Sequence, residues 1–536
     1  MASSRAEATR ASRLSAMPRF SIITPVYEPP SEAFESCINS VLAQTDSDWE
    51  WCLCNDASPS AWVAERLARL QTSDSRIRVI TRATNGGIVA ASNDAIASAT
   101  GEFLVLLDND DELRSDALEL VAAVISESSD IDYVYSDEDK IAPTGERFDV
   151  FQKPIWSPER LLAQNYTSHL SVLRRAVVDE VGRFRTGFDG SQDYDLVLRV
   201  IERARRIANV PEVLYHWRAL PTSTASAAAA KPYAFIAALR AVREHLERRG
   251  LPAEVTEAGP SLARVRRRSL HHPFVSVITV ADGTTERIYG VSQNLGNHLV
   301  SSVAGTSTYR NFELVIVVPA TMPEDQRAEL LRRADGHGRI VQVDAGASLA
   351  HSLNNGLVAA KGEYVAFIDQ HCELINTDWI ETLLGYIDQS SVALVAPQLL
   401  DEYGVVYSAG LGLTPEPHHI ARGRLPTDYG PVGMFAIARE CFGVSTACVV
   451  AKATALRMVG GFSPEYSGRT FDFDLACKLH QQQLHAIVTP LVAVRYLGGD
   501  APTTDDLATF KRRWGRYAGR DPYTRIDTRM VIPAAS

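Results

Sequence analysis

The 536-residue sequence predicts an α/β protein with two tandem domains, each a mostly parallel sheet flanked by helices. Short apolar runs alternate with helical patterns in the first half, which is typical of parallel βαβ units. The second half repeats the same order of segments. A chain of this length also exceeds what one hydrophobic core usually serves.

The first four strands are predicted at 20–26, 49–54, 77–81 and 103–107, with helical patterns between them that include 31–44 and 88–99. In parallel sheets of this kind, ligands bind beyond the carboxyl ends of the strands. Asp56 and Asp108 come at the ends of the second and fourth strands. We therefore expect a site at that edge of the first sheet.

The internal repeat indicates the domain boundaries. The segment 101–108 returns about 260 residues later as 362–369, and so long a period indicates two copies of one domain. A predicted helix at 232–249 ends at Gly250. The chain then divides into a disordered tail at 1–17, a first domain at 18–250, a linker at 251–272, a second domain at 273–500 and a helical extension at 501–536.

Composition excludes several functional classes. The net charge of −11 argues against extended binding to nucleic acid. No apolar stretch approaches the ~20 residues that span a bilayer, and seven cysteines without paired spacing predict reduced thiols. These observations predict a cytoplasmic protein without a transmembrane segment, and they leave peripheral membrane attachment open.

An acidic segment, residues 108–112, follows the fourth strand. The carboxylates of Asp108 and Asp110 can both turn toward one hard cation, and Mg²⁺ or Mn²⁺ held this way keeps positions open for phosphate oxygens. Such a cation neutralises charge on a diphosphate leaving group. The alternative is capping of the next helix, which we expect of Asp111 and Glu112.

Two further segments have a binding and a structural interpretation. Asp56 either accepts hydrogen bonds from a base or ribose or forms an Asx-turn with Ser58. The segment Asn85-Gly86-Gly87 either lets the backbone approach a ligand or is a plain tight turn.

Asp193 and His216 also have two interpretations each. Asp193 lies before a helix predicted at 196–204, where it either caps that helix or acts as a general base toward an acceptor. His216, between Tyr215 and Trp217, is either a third metal ligand or a structural histidine.

Together these segments resemble the inverting family 2 glycosyltransferases, which have the GT-A fold. The resemblance covers roughly residues 18–250, and its motifs, in order, are Ile23-Thr24-Pro25-Val26-Tyr27, Asn55-Asp56-Ala57-Ser58, Asn85-Gly86-Gly87, Leu107-Asp108-Asn109-Asp110-Asp111 and Gln192-Asp193. Asp193-Tyr194-Asp195-Leu196, Tyr215-His216-Trp217-Arg218 and Ser223-Thr224-Ala225 are similar to the tandem enzymes of bacterial surface-polysaccharide synthesis. Gln192 departs from the family, since many members have Glu there.

The resemblance implies a binding site for a nucleoside-diphosphate sugar. Asp56 would contact the nucleobase in a pocket shared with Pro25, Tyr27 and Glu28. The rest of the implied nucleotide-sugar site comprises Asn85, Gly87, Asp108 and Asn109.

The resemblance also implies the chemistry. Asp108 and Asp110 would hold Mn²⁺ or Mg²⁺ together with the diphosphate, and His216 would complete the metal site. Asp193 would deprotonate the acceptor hydroxyl, so that attack inverts the anomeric carbon.

The second copy departs from this pattern. Pro319 stands opposite Asp56, His371 opposite Asp110, and Arg495 opposite His216, whereas Asp369 and Asp472 remain of the acidic set. An arginine would repel a metal ion, although Arg495 could replace its charge on a diphosphate. We therefore expect a non-catalytic or strongly divergent second domain, with acceptor binding or homodimer formation as open roles.

The sequence thus predicts an inverting, metal-dependent hexosyl- or deoxyhexosyltransferase with a glycan, lipid-linked or protein acceptor. Two alternatives stay open: a transferase with both domains active, and a non-enzymatic protein that binds nucleotide sugars or glycans. A nucleotidyltransferase is disfavoured because no Gly-rich phosphate loop follows the first strand. No motif encodes the donor sugar, nucleobase or linkage.

Overall fold

The computed structural model describes residues 17–219, 232–499, 502–526 and residue 528. The predicted tail up to residue 16 and the Ser223-Thr224-Ala225 segment lie outside these residues. The chain divides into two compact units, which we call the first unit (Met1–Trp156 with Gln164–Gly250) and the second unit (Ser157–Ala163 with Leu251–Ser536).

The first unit alternates strands and helices along most of its length. Its strands are β1 (Phe20–Val26), β2 (Trp49–Asn55), β3 (Ile77–Thr81), β4 (Phe103–Leu106), β5 (Glu112–Leu113), β6 (Ile131–Ile141), β7 (Arg147–Phe151), β8 (Ser171–Arg174) and β9 (Arg206–Arg218). Its helices are α1 (Ser31–Leu42), α2 (Ala61–Ser73), α3 (Gly87–Ser98), α4 (Ala117–Glu127), α6 (Arg175–Glu180), α7 (Gln192–Val200) and α8 (Pro232–Arg248), while α5 (Pro158–Ala163) belongs to the second unit.

The second unit repeats this organisation. Its longer strands are β10 (Ala253–Gly259), β11 (Leu262–Arg267), β12 (Val275–Val280), β13 (Thr285–Ile288), β14 (Val291–Asn294), β15 (Phe312–Pro319), β16 (Gly338–Val343), β17 (Tyr364–Ile368), β19 (Val392–Leu400), β24 (Cys448–Lys452) and β25 (His485–Tyr496). The short ones are β18 (Cys372–Leu374), β20 (Val406–Ser408), β21 (Leu411–Gly412), β22 (His418–His419) and β23 (Arg439–Cys441). Its remaining helices are α9 (Leu295–Thr306), α10 (Glu324–Arg333), α11 (Leu349–Ala359), α12 (Trp379–Ile387), α13 (Ala453–Met458), α14 (Phe471–Gln481) and α15 (Thr504–Trp514), with 3₁₀ turns at Pro431–Gly433 and Gly515–Tyr517.

The main sheets of the two units have the same strand order. In the first unit it is β3-β2-β1-β4-β8-β6-β9-β5, with β7 beside β6. In the second unit it is β16-β15-β12-β17-β24-β19-β25-β18, with β20 and β23 at the side. The first four strands of each order are parallel, while β8 and β24 run antiparallel to their neighbours. The predicted fold class, two tandem GT-A domains, is confirmed.

One glycine contact is the same in both units. The Gly101 amide donates to Ser21 Oγ at 2.8 Å, and the Gly362 amide donates to Ser276 Oγ at the same distance. A Cβ at Gly101 would lie 2.8 Å from the Phe20 carbonyl carbon, so no larger residue fits beside β1. This close approach explains why glycine precedes both β4 and β17.

Some element boundaries differ from the predictions. The helix predicted from Leu196 begins at Gln192, so Asp193 lies in its first turn. The predicted linker contains an antiparallel hairpin, β10–β11. Within the described residues, no helix is long and apolar enough to cross a membrane.

Candidate active site

The polar segments of the first unit meet at one edge of its sheet. Ile23 in β1 pairs with Cys52 in β2 and with Leu106 in β4, so the residues that follow these parallel strands lie near one another. The Asn109 side chain donates to the Pro25 carbonyl oxygen at 2.8 Å. This bond joins the end of β1 to the acidic segment after β4.

Asp56 organises the glycine turn that precedes α3. It is buried, and its two carboxylate oxygens accept hydrogen bonds from the Gly86 and Gly87 amides at 2.9 and 2.8 Å. Arg82 Nε lies 2.9 Å from Oδ1, and the exposed Asn85 side chain also accepts from the Gly87 amide. Asp56 therefore positions the backbone of the turn, and its contact with a nucleobase stays a prediction.

Tyr27 and Glu28 follow β1 at the same edge. The Glu28 carboxylate accepts hydrogen bonds from the Ser60 amide and hydroxyl, at 3.0 and 2.5 Å, and its own amide donates to Ser58 Oγ. Tyr27 is half exposed, at 50%. Glu28 therefore has a structural role in joining β1 to the start of α2, whereas the Tyr27 ring is open to solvent.

The carboxylates of the acidic segment form two groups: structural ones, which are bonded to other residues, and uncommitted ones, which are not. Asp111 accepts hydrogen bonds from the Tyr215 hydroxyl at 2.5 Å and from the Arg218 amide at 2.7 Å, and Glu112 pairs with the Arg218 guanidinium. Within the described part of the chain, neither the Asp108 nor the Asp110 carboxylate has a hydrogen bond or ion pair to another residue. Asp111 and Glu112 thus have structural partners, but the predicted capping of the next helix is wrong, because α4 begins at Ala117.

The two uncommitted carboxylates are in an unfavourable electrostatic environment. Burial raises the pKa of Asp108, and the negative charge of Asp193 raises it further. Burial and the charge of Asp108 raise the pKa of Asp110 to about 6. A bound cation would relieve this repulsion, so the residues fit the Mn²⁺ or Mg²⁺ that the sequence predicts.

His169, just before β8, lies beside this segment and was not identified from the sequence. Candidate ligand atoms of Asp108, Asp111 and His169 all lie within 4.8 Å of one another. The imidazole stacks on the Tyr215 ring, with centroids 4.6 Å apart. Burial opposes protonation of the ring, but Glu138 and the nearby aspartates outweigh this and raise its pKa to about 9.

A run of three buried acids in β6 was also missed. The Asp137 carboxylate accepts from the Lys153 amide at 2.9 Å, and Glu138 pairs with the Lys153 ammonium at 3.0 Å. Asp139 Oδ1 lies 2.6 Å from His216 Nδ1. Three successive acids within one predominantly buried strand were the available sequence signal, because buried carboxylates require partners.

The structure places His216 differently from the sequence interpretation. It lies on β9 opposite Glu112, and its Nδ1 faces Asp139. Among the described residues, the group that could hold a metal contains His169 and not His216. The assignment of His216 as a metal ligand stays a prediction.

Asp193 and Asp195 have different environments on α7. Asp195 is buried and bound by the guanidinium groups of Arg185 and Arg199, so it fixes the helix. Asp193 is only half-buried, and its Oδ2 accepts one hydrogen bond, from Asn165 Nδ2 at 3.0 Å. Its other oxygen has no hydrogen bond to a described residue, and the charge of Asp193 raises the pKa of Asp108.

The corresponding acid of the second unit is already neutralised. Asp369 is in contact with the Arg469 guanidinium and accepts from the His371 amide and ring at 2.9 and 2.7 Å. Burial opposes its ionisation, but these partners hold its pKa below the usual range. Arg495 does not perform this role, because it pairs with Glu373. In the second unit, Arg469 therefore pairs with the aspartate that corresponds to Asp108, whose carboxylate is uncommitted in the first unit.

Strand register identifies the other replaced positions. The β4–β8 and β17–β24 pairings place Ala447 in the position of His169. The β5–β9 and β18–β25 pairings place Cys372 in the position of Asp111 and Val494 in that of Tyr215. The second unit thus lacks the histidine and the aspartate that lie beside Asp108 in the first.

A hairpin also occupies the second unit's sheet edge. The strands β13 and β14 form it, between β12 and α9, where the first unit has only residues 27–30. Tyr289 at its tip donates to Glu373 at 3.1 Å, and Glu286 lies 3.8 Å from His371. Among the described residues, the second unit therefore has a hairpin at an edge where the first has only a short connection.

Comparisons with a family model and with known proteins indicate the same family. The model of glycosyl transferase family 2 matches residues 21–182 and 288–457. An uncharacterized protein of Sinorhizobium fredii is 35% identical over 95% of this chain, and an O-antigen biosynthesis protein of Myxococcus xanthus is 32% identical over 89%. The chain spans 57% and 37% of those two proteins.

A third relative matches a shorter region. The UDP-Glc:alpha-D-GlcNAc-diphosphoundecaprenol beta-1,3-glucosyltransferase of Escherichia coli is 33% identical over 22% of this chain and 44% of its own length. The family model covers most of both halves of the chain, so the similarity includes the acidic segments of both units.

Proposed function

Because the chain belongs to glycosyl transferase family 2, we propose that its first unit transfers a sugar from a nucleoside-diphosphate sugar, with inversion, to an acceptor hydroxyl. The acceptor is a glycan, a lipid-linked sugar or a protein. One observation carries this proposal: the carboxylates of Asp108 and Asp110 have no partner among the described residues, and Asp193 lies near enough for its charge to raise the pKa of Asp108. The Escherichia coli relative, named for a UDP-Glc donor and a diphosphoundecaprenol acceptor, supports the proposed substrate classes.

In this proposal Asp193 acts as the general base. Asn165 holds one carboxylate oxygen of Asp193, and the other accepts the proton of the acceptor hydroxyl. The acceptor oxygen then bonds to the anomeric carbon while the bond from that carbon to the diphosphate breaks. The nucleoside diphosphate leaves with the electron pair, and the anomeric configuration inverts.

Asp108 and Asp110 hold the cation, and Asn109 fixes their segment against β1. Bound Mn²⁺ or Mg²⁺ would neutralise charge that develops on the leaving diphosphate. The turn held by Asp56 brings the Gly87 backbone to the same sheet edge, where it can line the nucleotide pocket.

We further propose that the second unit does not catalyse transfer. The Arg469–Asp369 pair and the β13–β14 hairpin support this, since both occupy the position that a cation and a nucleotide would need. Acceptor binding is the role we assign to this unit.

The test is a screen of nucleotide sugars for Mn²⁺-dependent hydrolysis, followed by transfer to candidate acceptors. We expect the wild-type protein to turn over one donor class, and Asp193→Asn to bind that donor but transfer at a rate reduced by about 10³-fold. Asp472→Asn is the matched control in the second unit. Loss of transfer in the control alone would assign catalysis to the second unit, and no turnover of any donor would favour a binding protein.

A further inference from the structure

The two histidines of the first unit's sheet edge differ in their access to the acidic segment. Tyr215 and His216 are neighbours on β9, so their side chains point to opposite faces of the sheet. Tyr215 faces the acidic segment, because its hydroxyl contacts Asp111 and the Asp108 amide at 2.5 and 3.3 Å. His216 therefore lies on the other face from Asp108 and Asp111, with Glu112 and Asp139, whereas His169 stacks directly on Tyr215.

We infer that the imidazole of His169, and not that of His216, supplies a nitrogen ligand to the cation at Asp108, and that Glu138 and Lys153 position it. This inference rests on the proposed function, since it concerns the metal site of that reaction. The candidate ligand atoms of His169, Asp108 and Asp111 already lie within 4.8 Å of one another.

Two contacts fix the orientation of the His169 ring. The ring planes of His169 and Tyr215 are inclined by only 14°. His169 Nδ1 lies 3.4 Å from Glu138 Oε2, and the same oxygen accepts the His169 backbone amide at 3.2 Å. Metal-binding histidines commonly direct one ring nitrogen to a carboxylate, which leaves the other for the metal.

Lys153 fixes Glu138 in turn. Its ammonium is fully buried, donates to Glu138 Oε2 at 3.0 Å and contacts the His169 carbonyl oxygen. Glu138 is therefore held between the Lys153 ammonium and the His169 ring, which makes it a positioning residue.

A nitrogen ligand has a consequence for metal preference. Imidazole suits transition metals, while Mg²⁺ prefers a set of oxygen ligands. A site with His169 and Asp108 should therefore bind Mn²⁺ more tightly than Mg²⁺. The second unit has alanine, Ala447, at the position that corresponds to His169.

The experiment measures the spin-echo modulation of Mn²⁺ by directly bound ¹⁴N, in full-length protein with MnCl₂, with and without UDP. We expect ¹⁴N modulation in wild type and in His216→Gln, and its loss in His169→Gln. Retention in His169→Gln, or loss in His216→Gln, would overturn the inference. Mn²⁺ bound without any ¹⁴N modulation would also overturn it while leaving the proposed function intact, whereas no Mn²⁺ binding would contradict both.

A second measurement tests the positioning role. Glu138→Gln keeps the size of the side chain but removes the charge beside the ring. We expect Mn²⁺ affinity, measured by calorimetry, to fall by about 10-fold to 100-fold while the ¹⁴N modulation of the bound ion persists. Unchanged affinity in a variant with wild-type circular dichroism would show that Glu138 serves the fold only.

Discussion

The two units have the same strand order, but the aspartates at corresponding positions, Asp108 and Asp369, have opposite electrostatic environments. In the first unit, the Asp108 carboxylate has no hydrogen bond or ion pair to another described residue, and burial raises its pKa. In the second unit, Asp369 is paired with Arg469 and its pKa is lowered. Arg469 thus neutralises the aspartate of the second unit, while no described residue forms an ion pair with the aspartate of the first. In the proposed function, this difference separates a catalytic site in the first unit from a structural ion pair in the second.

The largest expected effect concerns transfer. Asp193→Asn should reduce the transfer rate by about 10³-fold because the acceptor proton loses its base. Asp472→Asn, measured in the same assay, should change the rate less than about twofold, because we place no chemistry in the second unit. Comparable losses in the two variants would mean that both units are active.

The next effect concerns folding stability. Asp369→Ala leaves the buried Arg469 without its anion, and we expect the free energy of unfolding of the second unit to fall by about 3 kcal/mol. Asp108→Ala removes an unpaired carboxylate, so the first unit should change by less than about 1 kcal/mol. Urea titration followed by tryptophan fluorescence measures both. Equal losses would contradict the assignment of Asp369 as a stability residue.

A smaller effect concerns pH. The pKa of Asp110 is raised to about 6, and the carboxyl must lose its proton to hold a cation. Deprotonation of Asp110 alone should therefore raise Mn²⁺ affinity by about tenfold between pH 5 and 7. In Asp110→Asn this part of the pH dependence should disappear, together with most of the affinity. An affinity in the wild type that stays constant over this range would exclude Asp110 as a ligand.

Much of the fold followed from the sequence. Alternating apolar and helical patterns predicted the parallel strands, and the repeat of 101–108 at 362–369 predicted the second domain. The first residues of helices were harder to predict. Residues 192–195 form the start of α7, but they lack the apolar periodicity from which a helix is recognised. The structural roles of Asp56 and Glu28 depend on contacts between loops, which no local pattern encodes.

The candidate site was only partly predictable. Asp108, Asp110 and Asp193 belong to recognisable segments, but His169 is brought to Asp108 by the antiparallel pairing of β4 and β8. The ion pair formed by Arg469 could not be predicted either, because its counterpart in the repeat is Gly190, a residue without a side chain. Residues that are distant in sequence but act together can be identified only from the tertiary structure.

The central claim, one metal-binding site per chain, is tested most directly by titrating the full-length protein with Mn²⁺ and counting bound ions by electron paramagnetic resonance. We predict one tight site in wild type, its loss in the Asp108→Asn/Asp110→Asn double variant and its retention in Asp369→Asn. Two tight sites, or loss of binding in Asp369→Asn with the double variant unaffected, would contradict the account.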